Sequence, residues 1–304
     1  MTVFAEIETP APIGAGLVVG AVFLGLIISW NIIASRLWLG KPLIPREPRR
    51  PVPWKGIDLV AIVVFWLSLE MIGVSIVAHF TEHLADAAPG GEASAQHPIA
   101  LLMAEGNVFL LLVSGLAAVV VAPVFEEFMF RVLLQGWLEG AFGRLRWVIP
   151  EIGSLSVLMP IAISSLMFAM IHYREAAAPS NVWLLAYFFI ATSITRLWTM
   201  ILVIAFLKFV RGATAADFGW SASHSFADAV TGVVTFGAIS VPLFAIMILL
   251  NWALPNNPWN DPAALFPLAV ILGILYYRTH RIMPVIALHM SLNLTSLTVA
   301  WLGQ

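Results

Sequence analysis

Long apolar runs, separated by short polar segments, dominate this chain. Eight of them approach the ~20 residues that an α-helix needs to cross a hydrocarbon core of ~30 Å. They lie at 13–39, 57–80, 107–141, 154–174, 181–208, 229–254, 262–278 and 282–302. The composition agrees, because 61% of the 304 residues are hydrophobic and only 11% are charged. The sequence therefore predicts an all-α fold, a polytopic transmembrane bundle of about eight helices.

Basic residues concentrate in four of the segments that connect these runs. The segments lie at 36–55, 144–146, 208–211 and 278–281. Because basic loops stay on the cytoplasmic side of a membrane, we expect these four segments inside and both termini outside. This orientation requires 107–141 to cross once, as a long helix kinked near Pro123. If that run crosses twice, the later basic segments fall on the opposite side.

Two parts are distinguished along the chain. Residues 1–100 hold two predicted spans, a basic and proline-rich cytoplasmic loop between them, and a flexible outer loop after them. Because proline interrupts helices, Pro42–Trp54 is predicted to be an extended connector. Residues 101–304 hold the remaining spans and the polar residues that could support chemistry.

Glu126, Glu127 and Arg131 stand within the third apolar run. A charged side chain at the centre of a membrane helix costs roughly 2.5–3.5 kcal/mol on insertion scales, so three together indicate a use inside the protein. Positions four apart share a helix face, which allows Glu127 to pair with Arg131. Glu126 is rotated by about 100° and presents its carboxylate elsewhere. We therefore expect one structural acid and one reactive acid.

Two other predicted spans carry polar residues with the same spacing of four. One ends with Phe168 and His172, and the last contains His289 and Asn293. Each feature alone has an ordinary explanation, such as an interfacial histidine or an asparagine that hydrogen-bonds between helices. Together they place two acids, two histidines, an arginine and an amide in hydrocarbon-length segments. This combination predicts an active site inside the bundle.

The available side chains narrow the chemistry. The chain has no Cys and no serine in a recognisable nucleophile motif, so a covalent acyl-enzyme is poorly supported. Its net charge of −2 offers no basic field for nucleic acid. A carboxylate beside an imidazole can deprotonate water, and a second histidine with an amide can donate hydrogen bonds to an oxyanion. Peptide hydrolysis is the reaction that fits such a set.

The chain resembles one family of intramembrane proteases, the CAAX prenyl endopeptidase and bacteriocin-processing (CPBP, type II CAAX protease) family. The resemblance rests on three motifs in a fixed order: Glu126-Glu127-x-x-x-Arg131, Phe168-x-x-x-His172 and His289-x-x-x-Asn293. It covers roughly 105–175 and 262–300. Each motif alone is weak, but the ordered set is specific.

This resemblance implies a role for each motif residue. Glu126 would activate water together with His172, and His289 with Asn293 would form the oxyanion hole. The remaining motif residues would support the site: Glu127, Arg131 and Phe168. The favoured mechanism needs no cofactor. Zinc stays an alternative, because Glu126, His172 and His289 could supply three ligands with an open position for water.

The long separation of His172 from His289 departs from the family pattern, in which about one span lies between these motifs. It indicates an apparent insertion of two spans within 181–254.

The expected partners are the lipid bilayer and a membrane-associated peptide or protein substrate, prenylated or not, and the expected location is a prokaryotic cytoplasmic (inner) membrane. Two other functions stay open: a catalytically idle scaffold or regulatory protein of the same fold, and a proton-coupled transporter, although no inverted repeat is visible.

Overall fold

The computed structural model of the protein describes residues 13–44, 46–48, 51–86, 107–149, 151, 153–173, 182–255 and 257–302. Within these residues the chain forms eight long helices and no β-strand. The helices are α1 (Ile13–Trp38), α2 (Gly56–Asp86), α3 (Val108–Val148), α4 (Leu155–Met170), α5 (Val182–Arg211), α6 (Ser225–Ala253), α7 (Asn260–Thr279) and α8 (Ile282–Leu302). A single 3₁₀ turn, Ala222–His224, precedes α6.

Most of these helices match the predicted spans. Over the described part of the chain, seven are long and apolar enough to cross a membrane. The exception is α4, which has 16 residues and ends at Met170, short of the predicted end at 174. Its length of about 24 Å is less than a ~30 Å hydrocarbon core. The predicted all-α polytopic bundle is confirmed, and the protein is an integral, multi-pass membrane protein.

The run predicted at 107–141 forms one continuous helix, α3, which extends to Val148. Two of its stretches, Ala117–Val121 and Phe128–Gln135, are π-helical. The first lies immediately before Pro123, where a regular helix would lack one backbone hydrogen bond. The π-helical turn therefore carries the helix through the proline, as the single-crossing interpretation requires.

The centre of α3 forms the core of the bundle. Residues 125–135 are almost wholly buried, and α4, α7 and α8 pack around them. By contrast, α1 and α2 expose large apolar side chains, among them Phe23, Ile27, Ile57 and Met71. Such a surface is stable against lipid but not against water, which is consistent with helices at the membrane-facing periphery.

Three of the four basic segments, 36–55, 208–211 and 278–281, meet at one end of the bundle. Arg281, between α7 and α8, forms ion pairs with Glu47 of the proline-rich loop and, at 2.6 Å, with Asp228 of α6. Arg211 at the end of α5 donates from Nε to Asp58 Oδ2 at 2.9 Å. This clustering agrees with the predicted placement of these segments on one side of the membrane, while the side itself stays a prediction.

The described residues of the proline-rich loop are non-helical, as predicted, and they pack onto the bundle. The indole of Trp54 is buried and donates to the carbonyl of Leu133 in α3 at 3.1 Å. The amide of Glu47 donates to the carbonyl of Arg278 at 2.9 Å. The predicted outer loop and the division near residue 100 lie outside the described residues.

Candidate active site

Glu126 lies on α3 with its carboxylate beside two imidazoles. Its Oε2 atom is 3.8 Å from His172 Nε2 and 3.9 Å from His289 Nε2. The ring of Phe168 packs against both histidines, with centroid distances of 5.0 and 5.6 Å. The side chains of Glu126 and His172 are 11% and 22% exposed, whereas His289 is buried. Three ionisable groups predicted from separate helices therefore meet at one partly accessible point.

These histidines meet although they lie at different distances from the starts of their helices. Glu139 of α3 contacts His280 at the α7–α8 turn, and α3 continues beyond Glu139 for about 14 Å to Val148. The helix α4, which follows α3, therefore begins farther out at that end of the bundle than the α7–α8 turn. It needs its whole length to bring His172 to the same depth in the bundle as His289. The overlong α3 explains how the two motifs come together.

The tautomers of both histidines follow from their hydrogen bonds. His172 Nδ1 lies 2.9 Å from the carbonyl oxygen of Phe168, and His289 Nδ1 lies 2.9 Å from Glu127 Oε1. Both partners can only accept, so in each neutral ring Nδ1 carries the hydrogen and Nε2 carries the lone pair. Both Nε2 atoms face the carboxylate of Glu126. Glu126 Oε2 is thus near two nitrogen atoms that can accept a hydrogen bond, at 3.8 and 3.9 Å.

Glu127 and Arg131 form the buried pair that the spacing predicted. Arg131 Nε donates to Glu127 Oε2 at 3.2 Å, and both side chains are fully buried. The guanidinium carbon lies 5.4 Å from the centroid of the Phe168 ring. Because Glu127 also accepts from His289, this acid connects the arginine to the histidine. Glu127 therefore orients the imidazole rather than facing the point where Glu126 meets the histidines.

Asn293 is held by a defect in the hydrogen-bonding of α3. The amide of Ala122 donates to the carbonyl of Ala117, five residues back. In that π-helical register the donor for the carbonyl of Ala118 would be Pro123, which has no N–H. The side chain of Asn293 fills this position, because its Nδ2 donates to the oxygen of Ala118 at 2.8 Å. One of the two amide hydrogens of Asn293 is therefore committed to α3.

A polar stripe on α3 continues from the site toward the basic end of the bundle. It consists of Glu127, Arg131, Gln135 and Glu139, all buried and spaced by four. Gln135 Nε2 donates to Glu139 Oε1 at 3.0 Å, and Arg131 Nη1 donates to Ser164 Oγ of α4 at 3.0 Å. Gln135 and Glu139 were not predicted, although their spacing of four from Arg131 was a signal for them. Ser164 gave no such signal.

A second intramembrane ion pair joins α2 to α5. Arg196 Nε lies 3.5 Å from Glu70 Oε1, which also accepts from the indole of Trp66 at 3.1 Å. The guanidinium carbon of Arg196 lies 5.9 Å from the centroid of Phe125, which immediately precedes Glu126. This pair is more exposed than Glu127–Arg131, with 29% of Arg196 and 17% of Glu70 accessible.

Glu126, His172 and His289 are the residues that would hold a metal ion. Their lone pairs suit zinc, and the hydrogen bond from His289 to Glu127 is typical of a zinc-bound histidine. However, nitrogen and oxygen ligands at ~2.1 Å from a tetrahedral zinc lie about 3.4 Å apart, and Glu126 Oε2 is 3.8 and 3.9 Å from the two nitrogens. Over the described residues, no three such side chains are arranged closely enough to hold a metal ion.

A buried acid beside two imidazoles, enclosed in a multi-pass helix bundle, is an arrangement that can activate water inside a membrane protein. The family model for type II CAAX prenyl endopeptidase Rce1-like proteins matches residues 108–210 and 208–295. These two segments include all three motifs and more than half of the chain, so the protein belongs to this family of CAAX-type intramembrane proteases. Searches of curated proteins and of solved structures found no match.

Proposed function

We propose that this protein is an intramembrane endopeptidase that hydrolyses a peptide bond with water activated by Glu126 and His172. The observation that carries the proposal is the approach of Glu126 Oε2 to within 3.8 and 3.9 Å of two histidine nitrogens that bear lone pairs. These separations are too long for direct hydrogen bonds. A water molecule that donates one hydrogen to Glu126 and the other to His172 would satisfy both acceptors.

In this mechanism the water oxygen attacks the carbonyl carbon of the peptide bond while Glu126 accepts a proton. A C–O bond forms, and the carbonyl oxygen becomes an oxyanion. The proton then passes to the amide nitrogen, the C–N bond breaks, and a carboxylic acid and an amine leave. General base catalysis of this kind contributes typically 10²–10⁴-fold.

We propose that His289 and Asn293 stabilise the oxyanion. The hydrogen bonds that each residue already makes determine which hydrogen it can donate. His289 Nδ1 donates to Glu127, so Nε2 can donate only when the ring is doubly protonated, and the carboxylate of Glu127 would balance that charge. Asn293 already donates one hydrogen to Ala118 and has its second amide hydrogen for the oxyanion. Both residues are thus pre-oriented by contacts that need no substrate.

The proposed substrate is a membrane-associated peptide, and the family makes a prenylated C-terminal peptide the first one to test. We propose the cytoplasmic membrane of a prokaryote as the location. The partly exposed face of the site is formed by Glu126 and His172. A peptide bond delivered from the bilayer would meet the water-activating residues there.

The direct test uses purified protein in liposomes and two matched peptides, one ending in a prenylated cysteine followed by three residues and one unprenylated. We expect His172→Ala to lower the cleavage rate by about 10²-fold or more, because the base loses its partner. His79→Ala is the matched control, since His79 is exposed on α2 and outside the site, and it should cleave like the wild type. Wild-type cleavage by His172→Ala would refute the mechanism, and failure of the wild type on both peptides would support an idle scaffold.

The proposed mechanism needs no metal, and metal removal tests that part separately. If zinc were bound, Glu126, His172 and His289 would hold it, and it would supply Lewis-acid activation of water. We expect full cleavage by protein treated with a chelator and shown by elemental analysis to be metal-free. Activity that disappears with the chelator and returns with one equivalent of zinc would overturn the metal-free mechanism.

A further inference from the structure

A chain of buried hydrogen bonds runs from His289 to residues outside the three motifs. From Arg131 the chain continues to Ser164 Oγ at 3.0 Å, and from Ser164 to Gln135 Oε1 at 3.2 Å. Gln135 Nε2 donates to Glu139 Oε1 at 3.0 Å and to the carbonyl of Gly273 at 2.9 Å. The chain thus joins α3, α4 and α7 beneath the site.

The directions of the hydrogen bonds at both ends of this chain are fixed by groups that can only donate or only accept. The carboxylate of Glu139 and the carbonyl of Gly273 can only accept, so the Nε2 side of Gln135 must face them. The Oε1 atom of Gln135 then faces Ser164, whose hydroxyl lies 3.2 Å from that oxygen and 3.1 Å from the carbonyl of Ile161, so its one hydrogen is directed to these two acceptors. The lone pairs of Ser164 are therefore left for Arg131, which can only donate. Arg131 therefore donates to Ser164, and Gln135 donates to Glu139 and Gly273, whichever acceptor receives the Ser164 hydrogen.

These hydrogen bonds determine the position of the guanidinium group. Arg131 has a rigid planar fork, which is held by Glu127 through Nε, by Ser164 through Nη1 and by the face of Phe168. Without Ser164 the fork could rotate about its bond to Glu127. Because Glu127 orients His289, a rotation of Arg131 would be transmitted to the imidazole.

The chain of hydrogen bonds is closely packed against α7 at Gly273. A Cβ atom added there would lie 2.9 Å from Ile161 Cγ2, 3.2 Å from Gln135 Oε1 and 3.5 Å from Arg131 Nη1. The absence of a side chain at this position lets α7 approach closely enough for its carbonyl to accept from Gln135. The close approach and the hydrogen-bond chain thus depend on the same residue.

We propose that Ser164 and Gln135 are positioning residues, which hold Arg131 and Glu127 so that His289 presents Nε2 to the reacting atoms. This proposal rests on the proposed function. It predicts that loss of the Ser164 hydroxyl slows the chemical step without weakening substrate binding. A residue needed only for folding would instead change the amount of folded protein and leave kcat per folded molecule unchanged.

The neighbouring residue provides a matched control. Ser165 is the same residue type on the same helix and is equally buried, but its hydroxyl has no hydrogen-bond partner in the structure. We expect Ser164→Ala to lower kcat by about 10- to 100-fold with KM within about twofold, because small misplacements of a reacting group have effects of this size. Ser165→Ala should keep both constants near wild type. Ser164→Thr, which restores the hydroxyl, should recover most of kcat.

The outcomes distinguish this proposal from the proposed function. Wild-type kcat in Ser164→Ala, or an equal loss in Ser165→Ala, would overturn the positioning role while leaving the protease intact. If neither the wild type nor Ser165→Ala cleaves any peptide, the proposed function itself is wrong. If Ser164→Ala does not fold, Ser164→Cys replaces it: an intermediate kcat supports the proposal, and a wild-type kcat overturns it.

Discussion

In the part of the chain that the structure describes, two acid–arginine pairs lie in the middle of membrane-spanning helices, and they are held very differently. Glu127 and Arg131 are fully buried, and each has a further hydrogen-bond partner in the site or beneath it. Glu70 and Arg196 are partly exposed, their closest atoms are 3.5 Å apart, and Nε of Arg196 has no hydrogen-bond partner. Of the two pairs, only Glu127–Arg131 is hydrogen-bonded to a histidine of the site, through His289.

The two pairs differ in how many of their polar atoms are bonded to neighbouring groups, and only the more extensively bonded pair is part of the site. A buried charge is costly unless it is paired and hydrogen-bonded, and Arg131 is held through Nε and Nη1, while its Nη2 has no hydrogen-bond partner. Glu127 can orient His289 because Arg131 is itself held. A looser pair at similar depth joins two helices without defining the direction of a third group.

Removing each arginine gives the largest expected contrast. Arg131→Met leaves the fully buried carboxylate of Glu127 without its cation and with only the hydrogen bond from His289, and it should lower the free energy of unfolding by about 3–5 kcal/mol. Arg196→Met should cost about 1 kcal/mol, because Glu70 keeps the hydrogen bond from Trp66. Denaturant unfolding in the same detergent measures both variants. Equal losses of unfolding free energy in the two variants would show that the difference in burial between the two pairs does not affect their contribution to stability.

A second prediction concerns the hydrogen bond from Asn293 to the carbonyl of Ala118, which replaces the backbone donor that Pro123 lacks. Asn293→Ala leaves the carbonyl of Ala118 without its donor and should cost about 1–3 kcal/mol. Adding Pro123→Ala supplies a backbone N–H and should recover part of that stability without restoring cleavage. A double-mutant cycle, with Pro123→Ala alone as the control, measures the coupling. If the effects of the two substitutions on the unfolding free energy are additive, Asn293 does not replace the donor that Pro123 lacks.

The smallest effect is expected at the second pair. Trp66→Phe removes the indole donor to Glu70 but keeps a ring against Phe125, where the tryptophan centroid lies at 5.3 Å. The unfolding free energy should fall by about 0.5–1.5 kcal/mol, with cleavage unchanged. Thermal unfolding and the peptide assay check the two parts. A loss of cleavage as large as that of Ser164→Ala would connect the second pair to the site.

The hydrophobic pattern was sufficient to predict the helices, because lipid-exposed helices must be apolar throughout. It predicted 13–39 and 282–302 almost to the residue, where the structure has Ile13–Trp38 and Ile282–Leu302. It placed the end of α3 too early, since Arg144 and Arg146 read as a loop although they continue the helix. It made α4 too long, because His172 lies in the turn that follows its last residue.

The site was only partly readable from the sequence. Motif spacing identified Glu127 with Arg131, and charges within apolar runs identified Glu126 and the histidines. Ser164 could not be predicted, because a serine within an apolar helix is indistinguishable from its neighbour Ser165 until the facing helix is known. The commitment of Asn293 to Ala118 was equally hidden, since it depends on a π-helical register that no sequence pattern showed.

The most direct test of the account is the rate of peptide cleavage by Glu126→Gln, measured beside Glu70→Gln in the same liposomes. Both substitutions replace a membrane-embedded carboxylate by an amide of equal size, and only Glu126 faces the two histidines. We predict a loss of about 10²-fold or more for Glu126→Gln, because an amide cannot accept the proton from water. Glu70→Gln should cleave within about twofold of wild type, since Glu70 takes no part in proton transfer. Wild-type cleavage by Glu126→Gln would contradict the assignment of Glu126 as the base.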